Sequence, residues 1–468
     1  MTEHTEKLQF KNCMGEITIV PSKSETHRAV IAAALVNGKS VIKNASICDD
    51  TRATIECMRA MGAQIDVSGN VLCITGINFD ALNKVDDENA WDEIATDKIA
   101  MDKSSAFDNE FKKHVPIILN CNESASTMRF LLPAALFLYG DVIIKGSEKL
   151  IERGIGVYEE VFGESKVSFY KEKSFIRVTG RIKQKNFVVP GNISSQYISG
   201  ILFMMPMLPY DGKIIITGDL KSAPYVNMTL EMLKRFEITV KHTDNCDLYF
   251  VPGNQRYKSA EYTVSGDWSN AAFFVALNHL GAKIKINGLD NNGTQGDKIC
   301  GALFDKLGRT ANTIEKDNSD IANSANLPEF ANKSESVSEP DIRYAVIDIS
   351  NTIDLGPILM AYAAIKNGGI FTGTERLKSK ESDRAAVMKE ELFKFGINVR
   401  IEYDKVTVEK GTLKIPPVPA DSHNDHRIAM ALTLLLLCTG GDLMGAEAVN
   451  KSYPGFFDDL DCIINNKK

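Results

Sequence analysis

The sequence lacks the features of a secreted, membrane-bound or nucleic-acid-binding protein. Its nine cysteines are scattered and form no Cys-x-x-Cys pair, which is typical of reduced thiols and not of a disulfide framework or a zinc site. The first residues lack the apolar core of a signal peptide. The longest apolar run, around residues 428–438, is far shorter than the roughly 20 residues that span a bilayer. The net charge of −7, without a dense basic run, argues against nucleic-acid binding. These absences predict a cytoplasmic protein without a membrane or nucleic-acid partner.

Two common nucleotide-binding motifs and the usual metal motifs are also absent. There is no Gly-x-x-x-x-Gly-Lys-Ser/Thr loop and no Rossmann glycine pattern after a predicted strand. His423 and His426 form a His-x-x-His pair, but no zincin-type glutamate accompanies them, so the sequence predicts no metal site there. An acidic chain of this kind must bind any anionic substrate with a local cluster of cations.

The sequence does contain an internal repeat. Each copy has a polar cluster, an apolar run of helical length, a glycine stop and a short β-rich strand. The six copies begin near Ser22, Ser124, Ser194, Asp267, Asp354 and Asp425. Three of the five intervals between them are close to about seventy residues. Alternating strands and helices predict the α/β class.

Grouping the repeats by three predicts two domains within the 468 residues. One would contain residues 21–263 and the other residues 1–20 plus 264–468, with a hinge near 20–21 and 259–266. The two longest intervals contain segments, about 79–113 and 309–341, that are polar and lack periodicity. These segments are predicted to be surface insertions.

Each polar cluster stands where a helix N-cap is expected. The first-turn N–H groups of a helix carry a partial positive charge and bind phosphate or carboxylate readily. A single cap has no functional meaning, because every helix needs one. Six caps at matching positions favour helix N-termini that converge on one anion site, although capping alone remains the alternative.

Several charged residues near these helix starts are candidates for chemistry. Lys23, Ser24 and Arg28 can reach one end of a helix, where a solvated basic helix start is the alternative. All seven residues from 378 to 384 carry a charged or hydroxyl group, and they stand at a predicted strand-to-helix junction, a usual place for α/β active sites. Asp354 is either an N-cap or a general base.

In order along the chain, these motifs resemble the EPSP synthase family of enolpyruvyl transferases. The similarity extends from residues 21–24 to residues 451–454, and its most specific motifs are residues 380–384, 424–427 and 294–297. The resemblance implies two similar domains of three βαβαββ repeats each (an inside-out α/β barrel) that close over the substrates. It also implies transfer of the enolpyruvyl group of phosphoenolpyruvate to the 5-hydroxyl of shikimate 3-phosphate by a monomer that needs no metal or organic cofactor.

The resemblance assigns roles to individual residues. Those expected to bind shikimate 3-phosphate are Lys23, Ser24, Arg28, Ser194, Ser195, Gln196, Ser222, Asp354, Arg376 and Lys380. Those expected to bind phosphoenolpyruvate are Lys23, Ala125, Arg153, Gln196, Arg384, Arg427 and Lys451. The catalytic candidates are Asp354 as base for the hydroxyl, Glu381 for proton transfer at C3, and Lys23, His426 and Lys451 for the departing phosphate. Lys23, Asp354, Glu381 and Lys451 could exchange roles without changing the motifs.

The sequence also leaves two alternative functions open and departs from the family pattern at one site residue. The nearest alternative is the related UDP-N-acetylglucosamine enolpyruvyl transferase, although residues 194–196 and 380–384 favour shikimate 3-phosphate as acceptor. A non-catalytic anion-binding paralogue is a second alternative. Ala125 stands where the family commonly has glycine. Its methyl group predicts weakened inhibition by glyphosate, a bulkier competitor for the phosphoenolpyruvate site.

Overall fold

The computed structural model describes residues 10–79, 115–309 and 344–465. The predicted insertions at about 79–113 and 309–341 therefore lie outside the described residues, apart from positions 79 and 309 at their edges. Within the described ranges, no helix is both long enough and apolar enough to cross a membrane.

The regular elements are numbered along the chain. The α-helices are α1 (Lys23–Ala34), α2 (Asp49–Ala60), α3 (Ala125–Tyr139), α4 (Glu148–Arg153), α5 (Gly156–Val161), α6 (Ser195–Met204), α7 (Ala223–Arg235), α8 (Trp268–His279), α9 (Cys300–Gly308), α10 (Gly356–Ile365), α11 (Arg384–Lys394), α12 (His426–Thr439) and α13 (Phe456–Ile464). The strands are β1 (Met14–Thr18), β2 (Lys39–Lys43), β3 (Gln64–Ser68), β4 (Val71–Thr75), β5 (Ile117–Asn120), β6 (Asp141–Lys145), β7 (Val167–Lys171), β8 (Phe175–Gly180), β9 (Asn186–Pro190), β10 (Gly212–Thr217), β11 (Lys241–His242), β12 (Leu248–Val251), β13 (Glu261–Thr263), β14 (Lys283–Asn287), β15 (Val346–Asp348), β16 (Gly369–Thr372), β17 (Val399–Glu402), β18 (Lys405–Val408), β19 (Ala420–Asp421) and β20 (Leu443–Met444).

The chain divides into two compact units. Unit 1 consists of Met1–Ile19, Trp268–Asn287 and Gly296–Lys468, and unit 2 consists of Val20–Asp267 and Gly288–Gln295. Val20 and residues 264–267 and 288–295 were predicted to belong to the other domain, whereas here they group with unit 2. The reason is local: Gly266 N–H donates to Gly288 O at 2.7 Å, so the two segments run together. The resemblance also implies that the domain of residues 21–263 binds shikimate 3-phosphate, while the other supplies the base and the cations for phosphoenolpyruvate; this stays a prediction.

Unit 2 contains three four-stranded sheets of the same design. Their strand orders are β13-β2-β4-β3, β5-β6-β8-β7 and β11-β12-β10-β9. In each sheet one pair of neighbouring strands is parallel and the other pairs are antiparallel. This is the predicted βαβαββ repeat. Strand β13, which follows the third repeat along the chain, supplies the parallel partner of β2, so the first repeat is completed from the far end of the unit.

The core of unit 2 is formed around helices that are apolar on most of their faces. In α1 the residues from Ala29 to Ala34 are fully buried, and α3 and α6 are buried along most of their length. A helix without a polar face cannot lie at the surface, so it is surrounded by other elements of the unit. The polar residues of these helices are concentrated in their first turns. Burial of the helix bodies therefore fixes where those polar first turns stand.

Unit 1 repeats the design in part. Its four-stranded sheet has the order β15-β16-β18-β17 with the same parallel and antiparallel pairing. Two further parallel pairs are formed by β1 with β14 and by β19 with β20. Strand β1 thus belongs to unit 1 although it precedes unit 2 in the chain. The predicted α/β class and its repeated sheets are confirmed.

Four of the six predicted caps are formed as expected. Ser22, Ser124, Ser194 and Asp425 each accept a hydrogen bond from a first-turn backbone N–H, at 3.3, 3.2, 3.3 and 2.9 Å. The interpretation of Asp354 as an N-cap is wrong: α10 begins two residues later, with Leu355 at the N-cap position. Its carboxylate instead binds the cations of Lys380 and Arg384, which offer stronger contacts than a backbone N–H.

Candidate active site

The first turn of α1 in unit 2 contains the predicted substrate residues Lys23 and Ser24. The Lys23 ammonium is 2.8 Å from the carboxylate of Asp50 on α2, and both side chains are largely buried. The backbone N–H of Lys23 donates to the carboxylate of Asp267 at 3.1 Å. The prediction that Asp267 caps α8 stays a prediction. Asp50 was missed by sequence reasoning, because only the fold brings α2 to this point.

Arg28 lies one turn further along α1, with its guanidinium held by protein groups. Its Nε donates to Thr229, and its two terminal nitrogens donate to the carbonyl oxygens of Ser24 and Tyr225, at 2.8 to 2.9 Å. The guanidinium lies 4.9 Å from the ring centroid of Phe130. Burial lowers the pKa of Arg28 to about 10, which leaves it protonated at neutral pH. Two of its five N–H donors are left over by these three bonds.

The N-termini of α3 and α6 are joined through Gln196. Its amide donates to Ser126 and accepts from Arg129, both at 2.9 Å. Arg129 also donates to the backbone carbonyls of Arg153 and Gly154, at 3.2 to 3.4 Å, and lies over the ring of Tyr197. The sequence analysis gave Arg129 no role. An arginine in the first turns of an apolar helix was the available signal.

Most of the remaining predicted residues of unit 2 stand at helix starts, whereas Arg153 is the last residue of α4. Ala125 is the first residue of α3 and is 5% exposed. Ser195 opens α6 and is buried, while Ser222 precedes α7 with a left-handed φ of 59° and is also buried. The Nε of Arg153 is buried and makes no hydrogen bond among the described residues. A buried guanidinium donor left unused within the unit suits a bound anion.

A chain of buried hydrogen bonds ties three of these helices together. The Nδ1 of His27 is 2.7 Å from the hydroxyl of Thr54, which is 2.7 Å from that of Thr127, and Thr127 donates to Ser124 at 2.8 Å. The chain therefore runs from α1 through α2 to the cap of α3. Burial, with the neighbouring positive charge of Lys23, holds the pKa of His27 well below its ordinary value, so the ring is neutral at physiological pH.

In unit 1 the predicted motif 380–384 builds a cluster around Arg384, a residue that is 1% exposed. Its guanidinium contacts three carboxylates, those of Asp354 at 2.7 Å, Glu381 at 2.8 Å and Asp425 at 2.9 Å. Lys380 adds a second cation 3.0 Å from Asp354. The predicted strand-to-helix position is correct, since Asp383 caps α11 and Arg384 is its first residue. The prediction that Arg384 binds phosphoenolpyruvate stays a prediction, and three carboxylates already match its charge.

The cluster fixes the ionisation of Asp354. Burial alone would raise the pKa of its carboxyl group, but the charges of Lys380, Arg384 and Arg427 hold that pKa well below the ordinary value. Burial lowers the pKa of Lys380, against the opposing charge of Asp354. Asp354 is therefore a carboxylate at any physiological pH, in contact with one ammonium and one guanidinium.

The start of α12 in unit 1 presents Arg427 and His426. Arg427 donates to the side chain of Asn270 at 2.8 Å, and His426 is 2% exposed with its Nδ1 3.9 Å from Asp425. Lys451 donates to the backbone oxygen of Asn424 at 2.7 Å. Arg376 donates to the backbone oxygen of Ser350. Asn270 was another residue that sequence reasoning missed.

His423 does not pair with His426 in a metal-like arrangement. Its Nε2 lies 2.9 Å from the buried carboxylate of Glu391. Within the described ranges, Glu390, Glu391 and His423 form the one group whose ligand atoms lie close enough together for a metal. Lys394 is also 2.7 Å from Glu391 and already supplies it with a positive charge. These contacts are those of a structural ion-pair network.

Comparison with known proteins gives this arrangement a family. The chain matches the family model described as EPSP synthase (3-phosphoshikimate 1-carboxyvinyltransferase) over residues 9–87 and 92–460. It is 36% identical over 452 residues to the 3-phosphoshikimate 1-carboxyvinyltransferase of Clostridium perfringens, with 95% of each chain covered. Its identity to that of Clostridioides difficile is 33%, with 97% of this chain and 96% of the relative covered.

A solved structure agrees with this at the level of the fold. An EPSP synthase from Acinetobacter baumannii matches 97% of this chain and 95% of its own, with a TM-score of 0.63 and 20% identity. The sequence relatives and the family model cover nearly the whole length. The chain therefore belongs to the EPSP synthase family and has its two-domain α/β enolpyruvyl transferase fold.

Proposed function

We propose that this chain is a transferase that moves the enolpyruvyl group of phosphoenolpyruvate to the 5-hydroxyl of shikimate 3-phosphate. The products are 5-enolpyruvylshikimate 3-phosphate and phosphate, on the shikimate pathway to chorismate. The observation that carries the proposal is full-length similarity above 30% identity to relatives named for this reaction. These relatives do not support the alternative acceptor UDP-N-acetylglucosamine. A cytoplasmic location, a monomeric state and the absence of membrane and nucleic-acid partners stay predictions.

In unit 2 we assign the binding of shikimate 3-phosphate to the N-termini of α1, α6 and α7. Hydroxyl groups of Ser24, Ser194, Ser195 and Ser222, the side chains of Lys23 and Arg28, and the amide of Gln196 suit a phosphate on a hydroxylated ring. Support comes from the link between α1 and α7 through Arg28 and the Tyr225 carbonyl. First-turn N–H groups add a partial positive charge at the same helix ends.

We assign part of the phosphoenolpyruvate site to the start of α3 and the turn after α4. Ala125 lines the space for the ligand, Arg153 supplies a cation, and Gln196 of α6 contacts Ser126 and Arg129. The bonds of Arg129 to Gln196 and to the carbonyls of Arg153 and Gly154 support this grouping. Arg129 then has a positioning role. In unit 1, Arg384, Arg427 and Lys451 are the proposed cations for the same substrate.

In unit 1 we assign the contact with the shikimate ring to Asp354, Lys380 and Arg376. Asp354 and Lys380 lie 3.0 Å apart, which gives a hydroxyl group one acceptor and one donor side by side. Arg376 is tethered to Ser350, four residues before Asp354. Such fixed partners limit the motion of each charged group, so little ordering remains to be done when a substrate binds.

The proposed reaction has two steps. The 5-hydroxyl oxygen attacks C2 of phosphoenolpyruvate while C3 gains a proton, which gives a tetrahedral ketal. Loss of a proton from C3 then expels phosphate and restores the double bond. Asp354 receives the hydroxyl proton, because the hydroxyl becomes strongly acidic as its oxygen bonds to C2, so that even a weak base accepts it. Glu381 is assigned the proton at C3 in both steps, and Lys23, His426 and Lys451 stabilise the departing phosphate. No metal or organic cofactor enters these steps.

An acceptor comparison tests the proposed function. The purified protein is incubated with phosphoenolpyruvate and either shikimate 3-phosphate or UDP-N-acetylglucosamine, and released phosphate and product mass are measured. We expect phosphate release with shikimate 3-phosphate and none above background with the nucleotide sugar. Release with the nucleotide sugar alone would mean the other transferase, and no release with either acceptor would mean a non-catalytic protein.

Ala125 provides a prediction about inhibition. The change Ala125→Gly removes the methyl group that narrows the space beside phosphoenolpyruvate. We expect the half-inhibitory glyphosate concentration to fall by about tenfold, since relief of a tight contact in a packed site typically gains 1–3 kcal/mol. The KM for phosphoenolpyruvate serves as the reference, because the affinity for this smaller ligand should depend less on the methyl group. Equal inhibition of the original protein and the variant would contradict the assigned place of Ala125.

A further inference from the structure

Asn270 gives helix α8 a role that its sequence did not reveal. It lies in the first turn of α8, and its side chain is fully buried. The side-chain oxygen accepts from Arg427 Nη1 at 2.8 Å and from the Ser452 hydroxyl at 3.3 Å. The amide nitrogen donates to the backbone oxygen of Ser452 at 3.4 Å. One buried amide therefore contacts both α12 and the segment that follows Lys451.

The contact with Ser452 fixes the backbone directly after Lys451. Ser452 is fully buried, and its N–H donates to Val449 at 3.0 Å, which closes the short helix Ala446–Lys451. The Lys451 side chain stays more exposed and reaches the Asn424 carbonyl. With Ser452 anchored on Asn270, the position from which the Lys451 side chain starts is set relative to Arg427.

The chemistry of an amide suits this task better than that of a carboxylate. An asparagine oxygen orients a guanidinium group but carries no charge that would cancel it. Arg384 shows the opposite case, with three carboxylates around its guanidinium. Two carboxylates are close enough to interact with Arg427: Asp425 accepts its backbone N–H, and the pKa of Asp354 is lowered in part by its charge. Both also bind other cations, Asp425 binding Arg384 and Asp354 binding Lys380 and Arg384. Arg427 and Asp354 line the same small cavity, together with Ser269 of α8.

We propose that Asn270 is a positioning residue for the two cations Arg427 and Lys451, and that its neutrality preserves the charge of Arg427 for the carboxylate or phosphate of phosphoenolpyruvate. The inference rests on the proposed function, since that function supplies the anionic ligand. It adds a residue of α8 to the phosphoenolpyruvate side of unit 1. Asn270 itself does not touch the substrate in this account.

Three variants separate this role from a merely structural one. Asn270→Leu removes the amide at similar volume, and Asn270→Asp keeps the shape but adds a charge beside Arg427. We expect both variants to raise the KM for phosphoenolpyruvate about tenfold or more, while the KM for shikimate 3-phosphate stays within about twofold. Asn278→Leu is the matched control. Asn278 lies on the same helix, and its amide binds only the backbone of Ile284 among the contacts described, at 2.7 and 2.8 Å. It should lower stability without a selective change in KM.

A double-variant cycle with Arg427→Ala decides the mechanism. If Asn270 acts through Arg427, the double variant should raise the KM for phosphoenolpyruvate little more than Arg427→Ala alone does. The proposal would be overturned if the two changes had additive effects on the KM for phosphoenolpyruvate. It would also be overturned if the Asn270 variants raised the KM values for phosphoenolpyruvate and shikimate 3-phosphate equally. If Asn270→Leu fails to fold, the nearly isosteric Asn270→Asp carries the same comparison. Calorimetric binding of phosphoenolpyruvate gives that comparison without turnover, so an inactive original protein would refute the proposed function while the role of Asn270 is still decided.

Discussion

Replacing Arg384 by methionine is expected to abolish activity and to lower the free energy of unfolding by about 3–5 kcal/mol. Methionine fills much of the same space but leaves the carboxylates of Asp354, Glu381 and Asp425 without the cation that joins them. Asp425 is fully buried, so water cannot replace the lost contacts there. Removing one partner from a buried ionic cluster lowers stability strongly, because it leaves uncompensated charges in the interior. Replacing the whole cluster by apolar residues would lower stability far less.

The Arg384→Met effect is measured by chemical denaturation followed by circular dichroism, together with kcat/KM. Arg400→Met is the matched control, because Arg400 pairs with Glu409 at 3.3 Å on the surface of unit 1 and is mostly exposed. Its loss should change stability by no more than about 1 kcal/mol. The stability of Arg384→Lys should lie between those of Arg384→Met and Arg400→Met, since one ammonium group cannot contact three carboxylates as a planar guanidinium group does. An Arg384→Met protein as stable as the Arg400→Met protein would contradict the reading of the cluster.

The loss of stability in Arg384→Met should also depend on pH. Cations hold the pKa of Asp354 below its ordinary value, so its contribution to stability is present above the unfolded-state pKa and is lost as pH falls through the folded-state pKa. Without Arg384 the pKa of Asp354 rises, and the carboxylate takes up a proton at a higher pH. The stability deficit of the variant should therefore shrink as the pH is lowered from 7 towards about 4. A deficit that grows over this interval would contradict the explanation.

The sequence predicted those features of the site that depend on local order along the chain. Serine and aspartate before an apolar run predicted the caps at Ser22, Ser124, Ser194 and Asp425, because a cap and the N–H it binds are two or three residues apart. The 380–384 motif predicted a strand-to-helix junction for the same reason. Repetition of strand and helix predicted the recurring sheet.

Features that depend on distant segments were not predictable in this way. Arg384 binds Asp354 and Asp425 across 30 and 41 residues, and Asn270 binds Arg427 across 157. No periodicity connects such positions, and only the packing of the helices brings them together. The sequence could not decide between a cap and a general base at Asp354 for this reason: a carboxylate before an apolar helix has the local signature of a cap, while its partners Lys380 and Arg384 come from other parts of unit 1.

Asp354→Asn is expected to lower kcat by about 10²–10⁴-fold, the usual range for loss of a general base, with a much smaller change in either KM. The amide keeps the shape of the side chain and still accepts hydrogen bonds from Lys380 and Arg384, but it cannot take the hydroxyl proton. Stability should fall less than for Arg384→Met, because Arg384 keeps Glu381 and Asp425. Steady-state kinetics at several pH values, with single-turnover measurement of the chemical step, provide the comparison.

A matched aspartate distinguishes proton transfer at Asp354 from a general effect of charge. Asp305 lies on α9 in the same unit, is 71% exposed and contacts only His279 among its described ion pairs, at 3.2 Å. Asp305→Asn removes the same charge and should leave kcat within about twofold. Because the pKa of Asp354 is held well below its ordinary value, kcat of the original protein should show no loss from protonation of this group down to about pH 5. If Asp354→Asn instead raised the KM for shikimate 3-phosphate and left kcat unchanged, Asp354 would bind the ring without acting as the base, and the proton would have to go to Lys23, Glu381 or Lys451.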